Sequence, residues 1–265
     1  MSKVFSKDGT PIAYEQMGSG PPLILVDGAM CSRAFGPMPK LAPLLAKHFT
    51  VYMYDRRGRG ASGDTQPYAR EREIEDIGAL IRQAGGSAYV LGLSSGAGLG
   101  LEAAASGLGI ARLAVYEPPY MVGAAEHHTT AGHDIRLREL IAEDRRGDAV
   151  KYFMRKMVNV PAIFVVLMQL MPGIWSKLKA VAHTLPYDVA VMRNFALPAH
   201  RLAAVATPTL AMNGEKSDTR LKEAVQAVAR ILPNVQHRTL KGQTHNVKET
   251  ALTPVLVEFF GGQSI

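Results

Sequence analysis

Cysteine is almost missing from this chain. Cys31 is the single one in 265 residues, so no intramolecular disulfide can form, and a cytoplasmic location is the expectation. Long apolar runs are missing too. The longest, Ala162 to Met168, is bounded by Pro161, Gln169 and Pro172. It falls far short of the roughly 20 residues that span a bilayer, so no membrane span is expected and the run reads as a buried or half-exposed helix. The N-terminal residues Met1 to Gly9 lack the apolar core of an export signal and read as a strand entering a turn. Repeats and low-complexity tracts are absent. The formal charge is +7, yet no Lys/Arg stripe with interleaved aromatics runs along the chain, so a nucleic-acid partner is not expected. The charge modestly favours anionic substrates.

What is present is the hydrophobic content of one α/β domain with an insertion. Pro22 to Val26 and Thr50 to Tyr54 are short apolar runs ending at polar or Gly-rich turns, the pattern of strands buried on both faces. Helical spacing runs from Phe35 to Lys47 and from Glu71 to Ala84. Strands are predicted at Ala88 to Leu91 and Arg112 to Tyr116, with a helix from Ala97 to Ala105 between them. After Pro118-Pro119 strand signals stop for about eighty residues, and helices are predicted at His133–Asp144, Asp148–Val158, Pro161–Leu170 and Leu185–Phe195. Strands return at Pro208–Met212 and Gln236–Leu240, with helices at Arg220–Leu232 and Thr250–Phe260. This alternation calls for a parallel sheet wrapped by helices. The expected division is a core of residues 1–119 and 201–265, with residues 120–200 inserted as a helical cap over the C-terminal sheet edge, where such folds bind ligands.

Gly92-Leu93-Ser94-Ser95-Gly96, between the third of these strands and a helix of small residues, has the form of a nucleophile elbow. In that turn the serine is strained, and glycines stand where a Cβ would strike the adjoining strand or helix. Three further landmarks follow the same order along the chain. Leu25-Val26-Asp27-Gly28-Ala29 lies before the elbow, as does Asp55-Arg56-Arg57-Gly58-Arg59-Gly60-Ala61-Ser62; Gly242-Gln243-Thr244-His245 lies near the end. Together they resemble the α/β-hydrolase superfamily across nearly the whole chain, and in particular its small capped members related to esterases, cofactor-free haloperoxidases and carbon–carbon bond hydrolases.

The resemblance implies an α/β-hydrolase fold, a mostly parallel sheet flanked by helices with an inserted helical cap. It also implies Ser94 as nucleophile, His245 as general base, and the backbone N–H groups of Ala29 and Ser95 as the oxyanion site. Many relatives carry His-Gly where this chain has Asp27-Gly28, which sets an acidic side chain close to where negative charge would develop; bonding to local backbone N–H groups is the favoured reading of Asp27. Cys31, in the same loop, reads as a small buried side chain. Arg56, Arg57 and Arg59 invite a phosphate-binding reading, but a structural role is favoured, and Gly58 and Gly60 suit positive φ. His127, His128 and His133 stand in H-H-x4-H spacing with no companion Cys or H-E-x-x-H, so no metal is expected. No cofactor is implied.

The third triad member is open between two carboxylates. The family pattern puts the acid after the strand at Thr209 to Met212; there Gly214-Glu215-Lys216-Ser217-Asp218 leaves Ser217 in the slot, with Asp218 one residue late and equally suited to capping the next helix. Glu117, directly after Tyr116 and before Pro118-Pro119, needs no register shift and is preferred. The function so implied is a serine hydrolase of an ester, thioester or lactone with an apolar portion, that portion adaptable to a cap lining of Met154, Met157, Phe164, Met168, Met171 and Trp175. Carbon–carbon hydrolysis, a cofactor-free lyase and a non-hydrolytic ligand-binding role remain alternatives. Homo-oligomerisation stays open.

Overall fold

The computed structural model describes residues 1–123 and 131–262. Its sheet opens with β1 (Ser2–Phe5) and β2 (Pro11–Met17), an antiparallel hairpin, and continues through β3 (Pro22–Val26) and β4 (Thr50–Tyr54). Between β3 and β4 lies α1 (Met38–Leu45). After β4 come α2 (Arg70–Gln83), β5 (Ala88–Leu93), α3 (Ser95–Ala105) and β6 (Ile110–Tyr116). The next described strand is β7 (Thr209–Gly214), followed by α10 (Thr219–Ile231), β8 (Val235–Leu240) and α11 (Glu249–Phe260). Between β6 and β7 every described regular element is helical: α4 (Ala131–Ala142), α5 (Arg146–Tyr152) running into a π-helical turn at Phe153–Met157, α6 (Ala162–Gln169), α7 (Pro172–Ala180), a 3₁₀ turn at Ala182–Thr184, α8 (Leu185–Val191) and α9 (Ala199–Leu202).

The eight strands lie in the order β1-β2-β4-β3-β5-β6-β7-β8. From β3 onward every neighbouring pair is parallel, so all the chain's βα turns emerge on one edge. Both faces are covered, and the period of two explains how. In β3, Ile24 and Val26 join the cluster under α2, α3, α10 and the inserted helices, while Leu23 and Leu25 join the cluster under α1 and α11. All six residues of β7 are buried.

Three elements, β2, α7 and the four-residue α9, escape the sequence signals. β2 buries only its first half, so its alternation is weak; α7 opens on Pro172-Gly173, which reads as a turn although Pro suits a first helical position. The run ending at Val158 is not one continuous α-helix but widens into the π turn. Of the two readings of the apolar run from Ala162, the helix is the half-exposed one and not the buried one. In α6 only Val165 is buried, and Ile163 is 60 % exposed.

Candidate active site

Ser94 sits between β5 and α3 with φ 54° and ψ −124°, a backbone conformation that non-glycine residues adopt only when their surroundings enforce it. The enforcement is visible atom by atom. A Cβ on Gly92 would strike the Gly96 carbonyl and lie 2.6 Å from Ala97 Cα; one on Gly96 would strike the Val26 carbonyl and lie 2.6 Å from the Asp27 carbonyl oxygen. Both glycines therefore let α3 lean back onto its own strand and onto the end of β3. Ser94 N–H donates to the Tyr116 carbonyl at 2.9 Å, tying the serine to the end of β6. Its half-buried side chain has no hydrogen-bond partner among the described residues, so the hydroxyl stands open.

The next strand end carries the preferred carboxylate. Glu117 is fully buried and also left-handed, at φ 48°. Its Oε1 accepts the Gly214 N–H at 2.7 Å and its Oε2 lies 2.7 Å from His245 Nδ1. Three strand-end features hold that geometry. The Tyr116 hydroxyl donates to the Thr244 carbonyl at 2.6 Å, Lys216 N–H donates to the Gln243 carbonyl at 2.8 Å, and Gly214 lacks the Cβ that would meet the Gln243 carbonyl carbon at 2.7 Å. Asp218 lies elsewhere in its chemistry. Its Oδ1 accepts the Arg220 N–H at 2.9 Å to cap α10, and its side chain, 47 % exposed, ion-pairs with the Arg220 guanidinium, which holds the carboxyl below its ordinary value. Ser217 is buried nearby with no partner for its hydroxyl among the described residues.

The turn after β3 supplies the third component. Asp27 is buried; Oδ1 accepts the Gly28 N–H at 3.0 Å, and Oδ2 has no hydrogen-bond partner among the described residues. Burial pushes the carboxyl up to about 7 against the opposing pull of the Gly28 N–H, Arg59, Cys31 and Arg56. The acid is thus neutral below that pH, which removes the negative side chain that the sequence sets beside this turn. Cys31 packs against the same carboxyl, its thiol raised well above the ordinary value first by burial and then by Asp27.

The arginine-rich turn is internal wiring, not an anion cradle. Arg57 pairs with Asp76 at 2.7 Å and Asp8 at 2.9 Å; Arg56 pairs with Glu73 and Asp188, each at 2.7 Å. Arg59 donates to Asp188 Oδ2 and to the Gly28 carbonyl, both at 2.7 Å. Because Gly28 C=O and Ala29 N–H belong to one trans peptide unit, gripping the carbonyl aims the N–H the opposite way. No hydrogen bond among the described residues uses the Ala29 or Ser95 N–H. The Ser95 side chain is fixed in turn, donating to Asp188 Oδ1 at 2.8 Å. Burial alone would raise the Asp188 carboxyl, but Arg59, Arg56 and the bonded Ser95 hydroxyl outweigh it and hold it below the ordinary value. Asp188 is the residue that sequence reading does not single out. It lies far along the chain, in α8, and only its buried partners reveal it.

The remaining expectations divide. His133 Nδ1 lies 2.7 Å from the Tyr152 hydroxyl, whereas His127 and His128 lie outside the described residues; no metal-ligating cluster occurs among the described residues. Met154 and Met157 are core, Met168 and Trp175 are half-buried, and Phe164 and Met171 are exposed by half. The helices between β6 and β7 reach the loop that follows β3, where Lys177 Nζ of α7 stands 5.6 Å from the ring centre of Phe35.

Residues 20–249 match the model of the alpha/beta hydrolase family. The chain is 54 % identical to a crystal structure of an alpha/beta hydrolase from Sphaerobacter thermophilus, covering 98 % of this chain and all of that one with a TM-score of 0.91. A hydrolase from Pseudomonas aeruginosa aligns over 98 % of both chains at 24 % identity and a TM-score of 0.77, a likeness of fold. A curated relative, an uncharacterised hydrolase, YraK, from Bacillus subtilis, is 36 % identical over 98 residues, 36 % of this chain and 35 % of its own length. Sheet order, the strained turn after β5 and the family match along residues 20–249 agree: the chain belongs to the alpha/beta hydrolase family.

Proposed function

We propose that the protein is a serine hydrolase acting through an acyl-enzyme at Ser94, with His245 as general base, Glu117 as the residue that orients it, and the Ala29 and Ser95 N–H groups as the oxyanion site. The observation that carries this reading is the buried Glu117 bridge: one carboxylate oxygen on the Gly214 N–H, the other 2.7 Å from His245 Nδ1. A carboxylate there keeps the proton on Nδ1, which leaves Nε2 as the acceptor for the Ser94 proton. Attack by Ser94 Oγ on a carbonyl carbon forms a tetrahedral oxyanion; His245 then protonates the leaving group, and water admitted by the same base releases the acid.

The oxyanion assignment has its own support. Arg59 fixes the peptide that carries Ala29 N–H, Asp188 fixes the side chain of Ser95, and the neutral form of Asp27 spares the site a like charge. Residues 120–200 form the cap in this reading, with half-buried Phe35 and Trp175 offering apolar surface to the substrate. The substrate class is a small ester, thioester or lactone with an apolar portion. A fluorophosphonate probe and short p-nitrophenyl esters test it: stoichiometric labelling at Ser94 and loss of turnover in Ser94→Ala are the expected results. Turnover unchanged in Ser94→Ala refutes the nucleophile, and folded protein with inert Ser94 favours a ligand-binding role.

A further inference from the structure

The apolar residues of α6 and of its junction with α7 have no partner in the fold. Ile163, Phe164, Val166, Leu167, Leu170 and Met171 all expose about half or more of their surface, with Leu170 highest at 72 %. An amphipathic helix hides its apolar stripe, but α6 carries no charged residue on any side and buries Val165 alone. A concentration of exposed apolar side chains on one short segment marks a surface that meets something other than water.

The surrounding charge says what. From 149 to 187 the chain contains no Asp or Glu, while Lys151, Arg155, Lys156, Lys177 and Lys179 lie within it, a stretch of net charge +5 in a chain whose total is +7. Lys151 is answered by Asp148, and Lys177 lies over Phe35. Arg155, Lys156 and Lys179 are exposed and form no ion pair among the described residues. Elsewhere in the insertion the pattern is the reverse: Arg136, Arg138, Arg145 and Arg146 are each paired with a nearby acid. Unanswered cations around an apolar helix are the chemistry of a surface that sits among anionic headgroups and dips into the acyl boundary. A second copy of the same face would bring further cations to the patch and no acid to meet them.

We propose that the α6–α7 corner is a peripheral docking surface for an anionic lipid bilayer. The two helices, of eight and nine residues, meet at 100°, so the pair lies in the interface as a shallow wedge. Ile163, Phe164 and Leu170 enter the acyl boundary, and Arg155, Lys156 and Lys179 meet headgroup phosphates. The inference does not depend on the chemistry at Ser94, because binding is read without turnover.

Flotation of the full chain with vesicles of phosphatidylcholine alone, and of phosphatidylcholine with phosphatidylglycerol, tests it. The expected result is flotation with the anionic vesicles, weakened by high salt, and reduced about ten-fold or more both by Ile163→Ser with Leu170→Ser and by Arg155→Glu with Lys156→Glu. All four side chains are exposed, so the variants keep the fold, which their thermal melts check, and p-nitrophenyl ester turnover in solution stays unchanged. No flotation, flotation equal with both vesicle types, or flotation unchanged by the variants overturns the proposal. So does a dimer in sedimentation that Leu170→Ser dissolves without any vesicle binding, which assigns the face to a second copy.

Discussion

A carboxylate's role is set by what occupies its two oxygens. Those of Glu117 are taken by a backbone N–H and an imidazole, out of water; those of Asp218 are taken by a helix N-terminus and an exposed guanidinium. Glu117→Gln keeps the shape but presents an amide that stabilises neither the required tautomer nor the imidazolium, and kcat is expected to fall by about 10⁴, the scale of the corresponding loss in the trypsin triad. Asp218→Asn retains a good helix cap and is expected to leave kcat within about two-fold. Steady-state turnover of one p-nitrophenyl ester by both variants checks this; near-normal kcat in Glu117→Gln sinks the assignment. Strain points the same way. Ser94, Glu117 and Met30 are non-glycine residues with positive φ, and each follows the end of a parallel strand at the same sheet edge.

Among the elements, α8 has an importance out of proportion to its seven residues. Asp188 on it neutralises Arg56 and Arg59, both 1 % exposed, and holds the Ser95 hydroxyl. Removing one partner of such a group strands buried charge, at a cost of about 3–5 kcal/mol. Asp188→Asn is therefore expected to lower unfolding free energy by that amount in urea titration. A loss below about 1 kcal/mol would mean that the network is not a buried ion cluster at all. None of this was legible in advance, because ion pairing between residues more than a hundred positions apart leaves no periodic trace. Strands β3 and β4, by contrast, are legible to the residue, since burial on both faces demands an unbroken apolar run between polar turns. The Ser94 turn is legible for a similar reason: its glycines answer clashes within the same short segment and the neighbouring strand. For α6 the sequence leaves burial and half-exposure both open, because an apolar run looks the same whatever it faces.

At the scale of the whole molecule, one buried proton couples folding to pH. Asp27 holds its proton in the folded state up to about pH 7, whereas the unfolded chain releases it near the ordinary 3.8. The folded state thus binds more protons between these values, and the stability that the proton contributes is full below about pH 4 and lost as pH rises through 7, by at most about 1.4 kcal/mol per unit. Asp27→Asn removes the linkage. Urea unfolding of both proteins from pH 4.5 to 8 is expected to show the variant gaining on the natural chain up to pH 7 and the gap then levelling. A gap that stays flat across that range would mean that Asp27 is ionised in the folded protein.

The neck of the helical insertion carries a consequence for anyone who would exchange it. Its two crossings lie side by side, Met121 N–H donating to the Phe195 carbonyl at 2.7 Å, so a chimaera could be spliced there without moving β6 or β7. The splice is easy only for the backbone. Glu102 of α3 is answered by Arg193, and Arg56 and Arg59 by Asp188, both from the far side of that neck. A transplanted segment must bring one acid and one base to the same two places, or the recipient core inherits unmatched charges in its interior.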